Sequence, residues 1–175
     1  LLYIFVTHII SSNYLVQVEV RPKTSVAKAH LSGVKYAVVL IATAIVNAQM
    51  NGVIPSVQSY AALPYSQATY HYGLALANVV SPTMSFLPFL IKIRSLPVLC
   101  LLTVCSSTVT AFIIFLATLS PNLIFDSRTI GSALSIISSL CAAGLHSYLR
   151  VTFASLLREG EQSESRLFWC GVFIQ

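Results

Sequence analysis

The sequence Tyr36-Ala-Val-Val-Leu-Ile-Ala-Thr-Ala-Ile-Val-Asn47 opens a run of 56 residues, ending at Ile91, that contains no Asp, Glu, Lys or Arg. That length is enough for two membrane crossings of about 20 residues each, joined by a short connector. The whole chain of 175 residues is 56% hydrophobic and only 9% charged, whereas soluble domains carry about 25% charged residues. We therefore expect an all-α polytopic membrane protein.

Uncharged runs divide the chain into predicted membrane helices. Four of these spans are complete and cover about 36–54, 71–91, 97–119 and 130–149, while a fifth begins at Leu167. About five connected spans are typical of part of one half of a larger carrier, in which two halves face each other.

Two regions follow from this division. Residues 1–35 are expected to be an N-terminal edge followed by a cytoplasmic loop, and residues 36–175 a transmembrane bundle that is truncated at its end. Within the bundle, residues 55–70 read as an uncharged connector. Pro82 and Pro88 are expected to kink the second span, because proline cannot make the regular helical hydrogen bond.

Basic residues set the predicted orientation in the membrane. Nine of the ten Lys and Arg residues lie in 11–35, in 92–96 or in 150–166. Only Arg128 lies in a loop that the span order places on the other side of the membrane. Short loops rich in Lys and Arg stay in the cytoplasm. We therefore predict these three loops to be cytoplasmic.

The predicted end of the first span has an unusual composition for a lipid-facing segment. It reads Asn51-Gly-Val-Ile-Pro-Ser-Val-Gln-Ser-Tyr-Ala-Ala-Leu-Pro-Tyr65. Polar, interrupted backbone at membrane depth is tolerated only beside protein or a water-filled cavity. Asn47 and Asn51 share a helix face, and Asn51 borders the predicted Gly52–Pro55 break. Interhelical hydrogen bonding remains open for Asn47, whereas Asn51 is predicted to contact a substrate.

Aromatic and amide side chains alternate in the same segment and suggest a ligand. Tyr60 and Tyr65, interleaved with Gln58, could stack on a flat heteroaromatic ring while amides read its edge. An aromatic belt at the membrane surface explains the same tyrosines, and both interpretations stay open. For Tyr72 the belt is favoured. Asn78 lies one turn before Pro82, which frees a backbone carbonyl there.

Other polar residues in the spans have simpler interpretations. His71 is predicted to be a solvated interfacial side chain, and His146 and Arg150 are predicted to snorkel or anchor their helix. Small hydroxyl residues at helical spacing in the fourth span are more typical of close helix packing than of a site. These residues are Ser132, Ser135 and Ser139.

Several function classes are disfavoured. The net charge of +5 is spread over short loops, whereas nucleic-acid binding needs a clustered basic face. No paired carboxylates, phosphate-binding glycine loop or His/Cys/Asp array suggests an enzyme, a cofactor or a metal site. The four cysteines fall inside apolar runs and are expected to be small buried hydrophobes.

Several motifs resemble the animal riboflavin transporter family of solute carriers. The segment that starts at Asn51 carries the longest motif, and the shorter motifs lie downstream of it. These motifs are Asn51-Gly-Val-Ile-Pro-Ser-Val-Gln-Ser-Tyr-Ala-Ala-Leu-Pro-Tyr-Ser66, Ala68-Thr-Tyr-His71, Ala77-Asn-Val-Val-Ser-Pro82, Ser147-Tyr-Leu-Arg150 and Leu167-Phe-Trp-Cys-Gly171.

The resemblance implies a major-facilitator-like carrier of about eleven helices in the plasma membrane. Riboflavin would be its transported substrate, with no cofactor and no enzymatic activity. The present chain would be part of the C-terminal half, and its partners would be the lipid bilayer and the missing N-terminal half. Within the matching motifs, the candidate substrate-binding residues are Asn51, Gln58, Ser59, Tyr60, Tyr65 and Asn78.

Three alternatives stay open. The chain could belong to a carrier of nucleosides or of another neutral heterocycle. It could instead be a non-transporting receptor or interaction protein, with residues 55–70 as an external docking surface. A truncated product without function is a further alternative.

Overall fold

The computed structural model describes residues 33–91, 93–122 and 127–159, together with Phe168, Gly171 and Val172. Apart from those three residues, the predicted fifth span lies outside the described part of the chain. So does the predicted loop before residue 33.

The described residues form helices joined by short connections. Four stretches are long and apolar enough to cross a membrane, which confirms the predicted all-α membrane architecture. The first is continuous from Gly33 to Ala62 and contains one turn of π-helix. In chain order the elements are α1 (Gly33–Ala48), the π turn (Gln49–Val53), α2 (Ile54–Ala62), α3 (Gln67–Leu90), α4 (Leu96–Thr118) and α5 (Arg128–Glu159).

Two predicted boundaries are wrong. The first span does not end before Pro55, because Pro55 lies inside the continuous helix, directly after the π turn. The predicted connector 55–70 shrinks to residues 63–66, between α2 and α3. In addition, α5 continues to Glu159 through the start of the predicted loop 150–166.

A side-chain hydrogen bond explains where α3 begins, and two further ones lie near its internal prolines. Ser66 is the N-cap, and its hydroxyl accepts from the Thr69 N–H at 3.0 Å. The helix continues through Pro82 and Pro88 to Leu90. Nearby hydroxyls donate to backbone carbonyls of the same helix: Thr83 to Val79 at 2.8 Å and Ser85 to Ser81 at 2.9 Å.

Helix α5 is the centre of the bundle. It packs along α3 and also contacts α1, α2 and α4. Two hydroxyl pairs join α3 to α5 and show that the two helices run parallel: Thr69 with Ser132 at 2.7 Å, and Ser81 with Ser147 at 2.6 Å. Toward one end a core of buried apolar side chains joins α1, α4 and α5. Its members are Val39, Ala42, Val46, Leu99, Tyr148, Leu149, Phe153 and Leu157.

Candidate substrate groove

A groove of about 260 Å³ lies between α3, α5 and the continuous helix formed by α1, the π turn and α2. We call it the groove. Each of these three walls contributes both apolar and polar side chains. The lining residues are Met50, Ile54, Pro55, Gln58, Tyr70, Leu74, Ala77, Asn78, Ser81, Ser139, Ala143 and His146.

Three polar side chains face the groove without a hydrogen-bond partner among the described residues: Gln58, Asn78 and Ser139. Ser139 is only 7% exposed. Burying an unpaired hydroxyl such as that of Ser139 costs free energy, whereas Gln58 is half-buried and Asn78 is exposed, so that water or a ligand can reach both amides. In contrast to buried core residues, they are positioned so that a bound molecule with its own donors and acceptors could pair with them.

The groove is uncharged and elongated. None of its twelve lining residues is Asp, Glu, Lys or Arg. On α3 the lining runs from Tyr70 to Ser81, a rise of about 16 Å at 1.5 Å per residue. Tyr70, Pro55 and Leu74 provide aromatic and apolar surface. Such a site suits a neutral ligand with a flat apolar body and polar edges.

A hydrogen-bond network lies beside the groove and joins three helices. His146 of α5 is 0% exposed, and its Nδ1–H donates to the Ala142 carbonyl at 2.6 Å. Its Nε2 lies 3.0 Å from the side-chain amide oxygen of Gln49, in the π turn. The Gln49 amide nitrogen donates to the Ser107 hydroxyl of α4 at 2.9 Å. Thr110 of α4 lies 3.4 Å from His146 Nε2.

Two of the predicted substrate-binding residues meet in the groove. Gln58 projects from α2 and Asn78 from α3. They are 20 positions apart in the sequence, and the turn at residues 63–66 folds α3 back beside α2. Both keep free amide groups among the described residues, as a substrate contact requires.

The other four predicted substrate-binding residues lie outside the groove lining. Asn51 and Tyr60 are exposed, Tyr60 to 62%, and Ser59 is half-buried. Tyr65 is 4% exposed and packs against Gly131 of α5, where there is no room for a Cβ atom. Their roles as substrate contacts stay predictions.

Most residues of the groove and its network were not predicted as site residues, among them the polar residues Gln49, Tyr70, Ser139 and His146. The prediction that His146 snorkels is wrong, because the ring is fully buried, its Nδ1–H donates to the Ala142 carbonyl, and its Nε2 lies against the Gln49 amide. His146 and Ser139 are seven residues apart, which places both on one face of α5. This spacing is the sequence signal that could have assigned the two residues to one site. Within the described ranges, no three His, Cys, Asp or Glu side chains converge on a metal site.

Comparisons with known proteins agree with the resemblance seen in the sequence. The family model described as solute carrier family 52, riboflavin transporter, matches residues 9–175. No solved structure matches the chain.

Similar proteins occur in nematodes and vertebrates. Riboflavin transporter rft-2 of Caenorhabditis elegans is 73% identical over 83% of this chain and 31% of its own length. Riboflavin transporter rft-1 of the same organism is 66% identical over 82% of this chain and 34% of its length. Solute carrier family 52, riboflavin transporter, member 3 of Bos taurus is 35% identical over 88% of this chain and 32% of its length.

The chain thus spans about a third of the length of these relatives. The family model covers nearly all of its residues, including every residue that lines the groove. The chain belongs to the solute carrier family 52 riboflavin transporters.

Proposed function

We propose that the complete protein carries riboflavin across a membrane and that the groove forms one wall of its substrate site. The single observation that carries this proposal is the set of unpaired polar groups of Gln58, Asn78 and Ser139 in an uncharged groove beside Tyr70. The names of the similar proteins support riboflavin as the substrate.

The chemistry of riboflavin matches these groups. Its flat ring system would stack on Tyr70 and pack against Pro55 and Leu74. One edge of the ring carries an N–H between two carbonyls, and an amide such as that of Gln58 or Asn78 can pair with a donor and an acceptor at once. The vitamin is neutral, so no buried charge has to be compensated.

The rest of the protein is the second partner in this proposal. The groove is open on one side, and the chain covers only about a third of the related carriers. We assign the facing wall of the site to the part of the protein that precedes this chain. Transport would then proceed by alternating access, in which the two parts rock about the bound substrate. No catalytic step is involved.

The decisive test is uptake of labelled riboflavin by cells that express the complete reading frame. Gln58→Ala and Asn78→Ala should each raise the KM for riboflavin up to about tenfold, the loss of one hydrogen bond of typical strength. Gln67→Ala is the matched control, because Gln67 is exposed at the start of α3 and lies outside the groove lining. All variants are compared at equal surface abundance.

Uptake no greater than in untransfected cells would overturn the carrier proposal. If Gln58→Ala and Asn78→Ala behave like Gln67→Ala, transport stands but the groove is not the site. Competition by uridine as strong as that by unlabelled riboflavin would favour a nucleoside carrier instead.

We also propose that the protein is in the plasma membrane, with residues 11–35, 92–96 and 150–166 in the cytoplasm. Support comes from the distribution of Lys and Arg. In intact cells a membrane-impermeant thiol reagent should label Leu63→Cys, in the exposed α2–α3 turn, but not Ser95→Cys before α4. The opposite labelling pattern would invert the orientation.

A further inference from the structure

The inward face of the first membrane helix changes partway along its length. The buried positions of α1 are Val39, Ala42, Thr43, Val46 and Asn47. An uninterrupted α-helix with 3.6 residues per turn would continue this face near positions 50, 53–54, 57 and 60–61. In the structure, Ala61 and Ala62 are the buried pair, at 3% and 4% exposed, whereas Tyr60 is 62% exposed. Gln58 lines the groove, so the inward face has moved on by one residue.

The π turn accounts for this change. The N–H of Ile54 donates to the carbonyl of Gln49, five residues back instead of four. One extra residue in a turn rotates everything that follows by about 100° relative to a regular α-helix. Pro55 favours this local geometry, because in a regular helix its ring would clash with the carbonyl of Asn51.

The side chain of the first residue in the π turn is held from two sides. The amide of Gln49 contacts His146 of α5 at 3.0 Å and Ser107 of α4 at 2.9 Å. His146 itself is held by the Ala142 carbonyl at 2.6 Å. A Gln side chain bonded to two helices keeps the start of the π turn in one place.

We propose that Gln49, held by His146, is a positioning residue that maintains the π turn and thereby turns Gln58 into the groove. The role of Gln58 in binding rests on the proposed function; the control of helix rotation does not. If the π turn relaxed to a regular α-helix without a change in length, Val57 and Tyr60 would turn inward. Gln58 would leave the groove.

A deletion within the π turn provides a sharp test. Gln49→Leu removes the polar side-chain contacts to Ser107 and His146 and keeps the residue count, so α2 should rotate. Removing Gly52 as well takes out the one extra residue, and a regular α-helix then returns Gln58 to the groove. Gly52→Ala in the Gln49→Leu background is the matched control, because it leaves the number of residues unchanged and its Cβ would meet no atom within 4 Å in the described part of the chain.

The readout is cysteine labelling in the complete carrier with its native cysteines replaced. A water-soluble thiol reagent should label Gln58→Cys, which faces the groove, faster than Tyr60→Cys, whose exposed side lies on the outer surface of the bundle where lipid would shield it. Gln49→Leu should reverse this order. Binding is measured separately with Gln58 present. Gln49→Leu should raise the riboflavin Kd about tenfold, and deletion of Gly52 in that background should restore it, whereas Gly52→Ala should not.

Several results would overturn the positioning role. One is an unchanged labelling order in Gln49→Leu. Another is riboflavin binding that is no tighter in Gln49→Leu with Gly52 deleted than in Gln49→Leu alone. If Gln49→Leu fails to reach the membrane, deletion of Gly52 alone decides: it should keep both the labelling order and riboflavin binding, and loss of either contradicts the proposal. If the wild type does not bind riboflavin, the proposed function fails, while the labelling order still tests the rotation.

Discussion

Ser138 and Ser139 are adjacent serines of α5, each 7% exposed, whose hydroxyls have different surroundings. Ser138 donates to the Ser135 carbonyl of its own helix at 3.0 Å. Ser139 lines the groove and has no hydrogen-bond partner among the described residues. The two side chains are equally buried, but only Ser139 offers a ligand an unpaired hydroxyl.

This difference predicts the outcome of two matched substitutions. Ser139→Ala should raise the riboflavin Kd by about two- to tenfold, the loss of one hydrogen bond. Ser138→Ala should leave it unchanged, because that hydroxyl is already paired within the helix. Equilibrium binding to the purified complete carrier checks this. An equal loss of riboflavin affinity in both variants would mean that the two hydroxyls affect helix packing and do not contact the ligand.

Gly131 shows a different residue-scale constraint, where α5 passes the ring of Tyr65. A Cβ atom at position 131 would overlap the ring carbons. Gly131→Ala should therefore destabilise the carrier by roughly 1–3 kcal/mol, the usual cost of overpacking a buried site. The measurement is thermal unfolding in detergent.

Two further variants make that prediction specific. Gly33→Ala is the control, because a Cβ there meets no atom of the described residues within 4 Å. Combining Gly131→Ala with Tyr65→Leu should recover part of the lost stability, since the smaller side chain leaves room. No recovery, or an equal loss in Gly33→Ala, would contradict the assigned contact.

At the scale of elements, hydropathy alone could predict that the spans exist, because each is a long uncharged run. It could not predict the π turn. Gly52 and Pro55 together suggested a break, yet the helix passes through both and gains one residue instead. Whether Gln58 or Tyr60 faces inward depends on that single residue, which no hydropathy window resolves. The amides themselves could be identified, since they are unusual inside apolar helices.

The burial of His146 is a second feature that the sequence could not show. A His four residues before Arg150 near a predicted helix end is typical of an interfacial side chain. The structure extends α5 by another nine residues beyond Arg150, to Glu159. His146 therefore lies within the helix, where it meets Gln49 of the first span. That contact joins positions 97 apart in the chain.

The α3–α5 pair allows a quantitative test at the element scale. Ser81 and Ser147 share a hydroxyl–hydroxyl hydrogen bond of 2.6 Å. Interhelical hydrogen bonds in membrane proteins contribute about 0.6 kcal/mol on average. A double-mutant cycle with Ser81→Ala and Ser147→Ala should give a coupling free energy of that size in unfolding experiments. A coupling near zero would show that the contact follows from the packing of α3 on α5 without stabilising it.

At the scale of the whole molecule, positive charge and the groove are kept apart. The chain carries a net charge of +5, yet no Lys or Arg is among the groove-lining residues. In the sequence, nine of the ten Lys and Arg residues fall in the three segments predicted to be cytoplasmic, where they favour one orientation in the membrane. The groove remains neutral, and its polar groups are amides, hydroxyls, a phenol and an imidazole. In the proposed site these groups would select by hydrogen-bond pattern rather than by ligand charge.

This separation of charge predicts how the carrier treats a phosphorylated flavin. A phosphate adds a charge of about −1.5 to −2 at neutral pH, and moving it into an uncharged groove without a cationic partner costs several kcal/mol. Riboflavin 5′-phosphate should therefore compete with labelled riboflavin at least about tenfold less well than unlabelled riboflavin does. Asn78→Arg should narrow this difference, because it places a guanidinium in the groove wall, whereas Gln67→Arg, outside the lining, should not. Equal competition by the two flavins in the wild type would show that a cation from elsewhere in the carrier reaches the bound ligand, and the groove alone would then not determine which flavins are accepted.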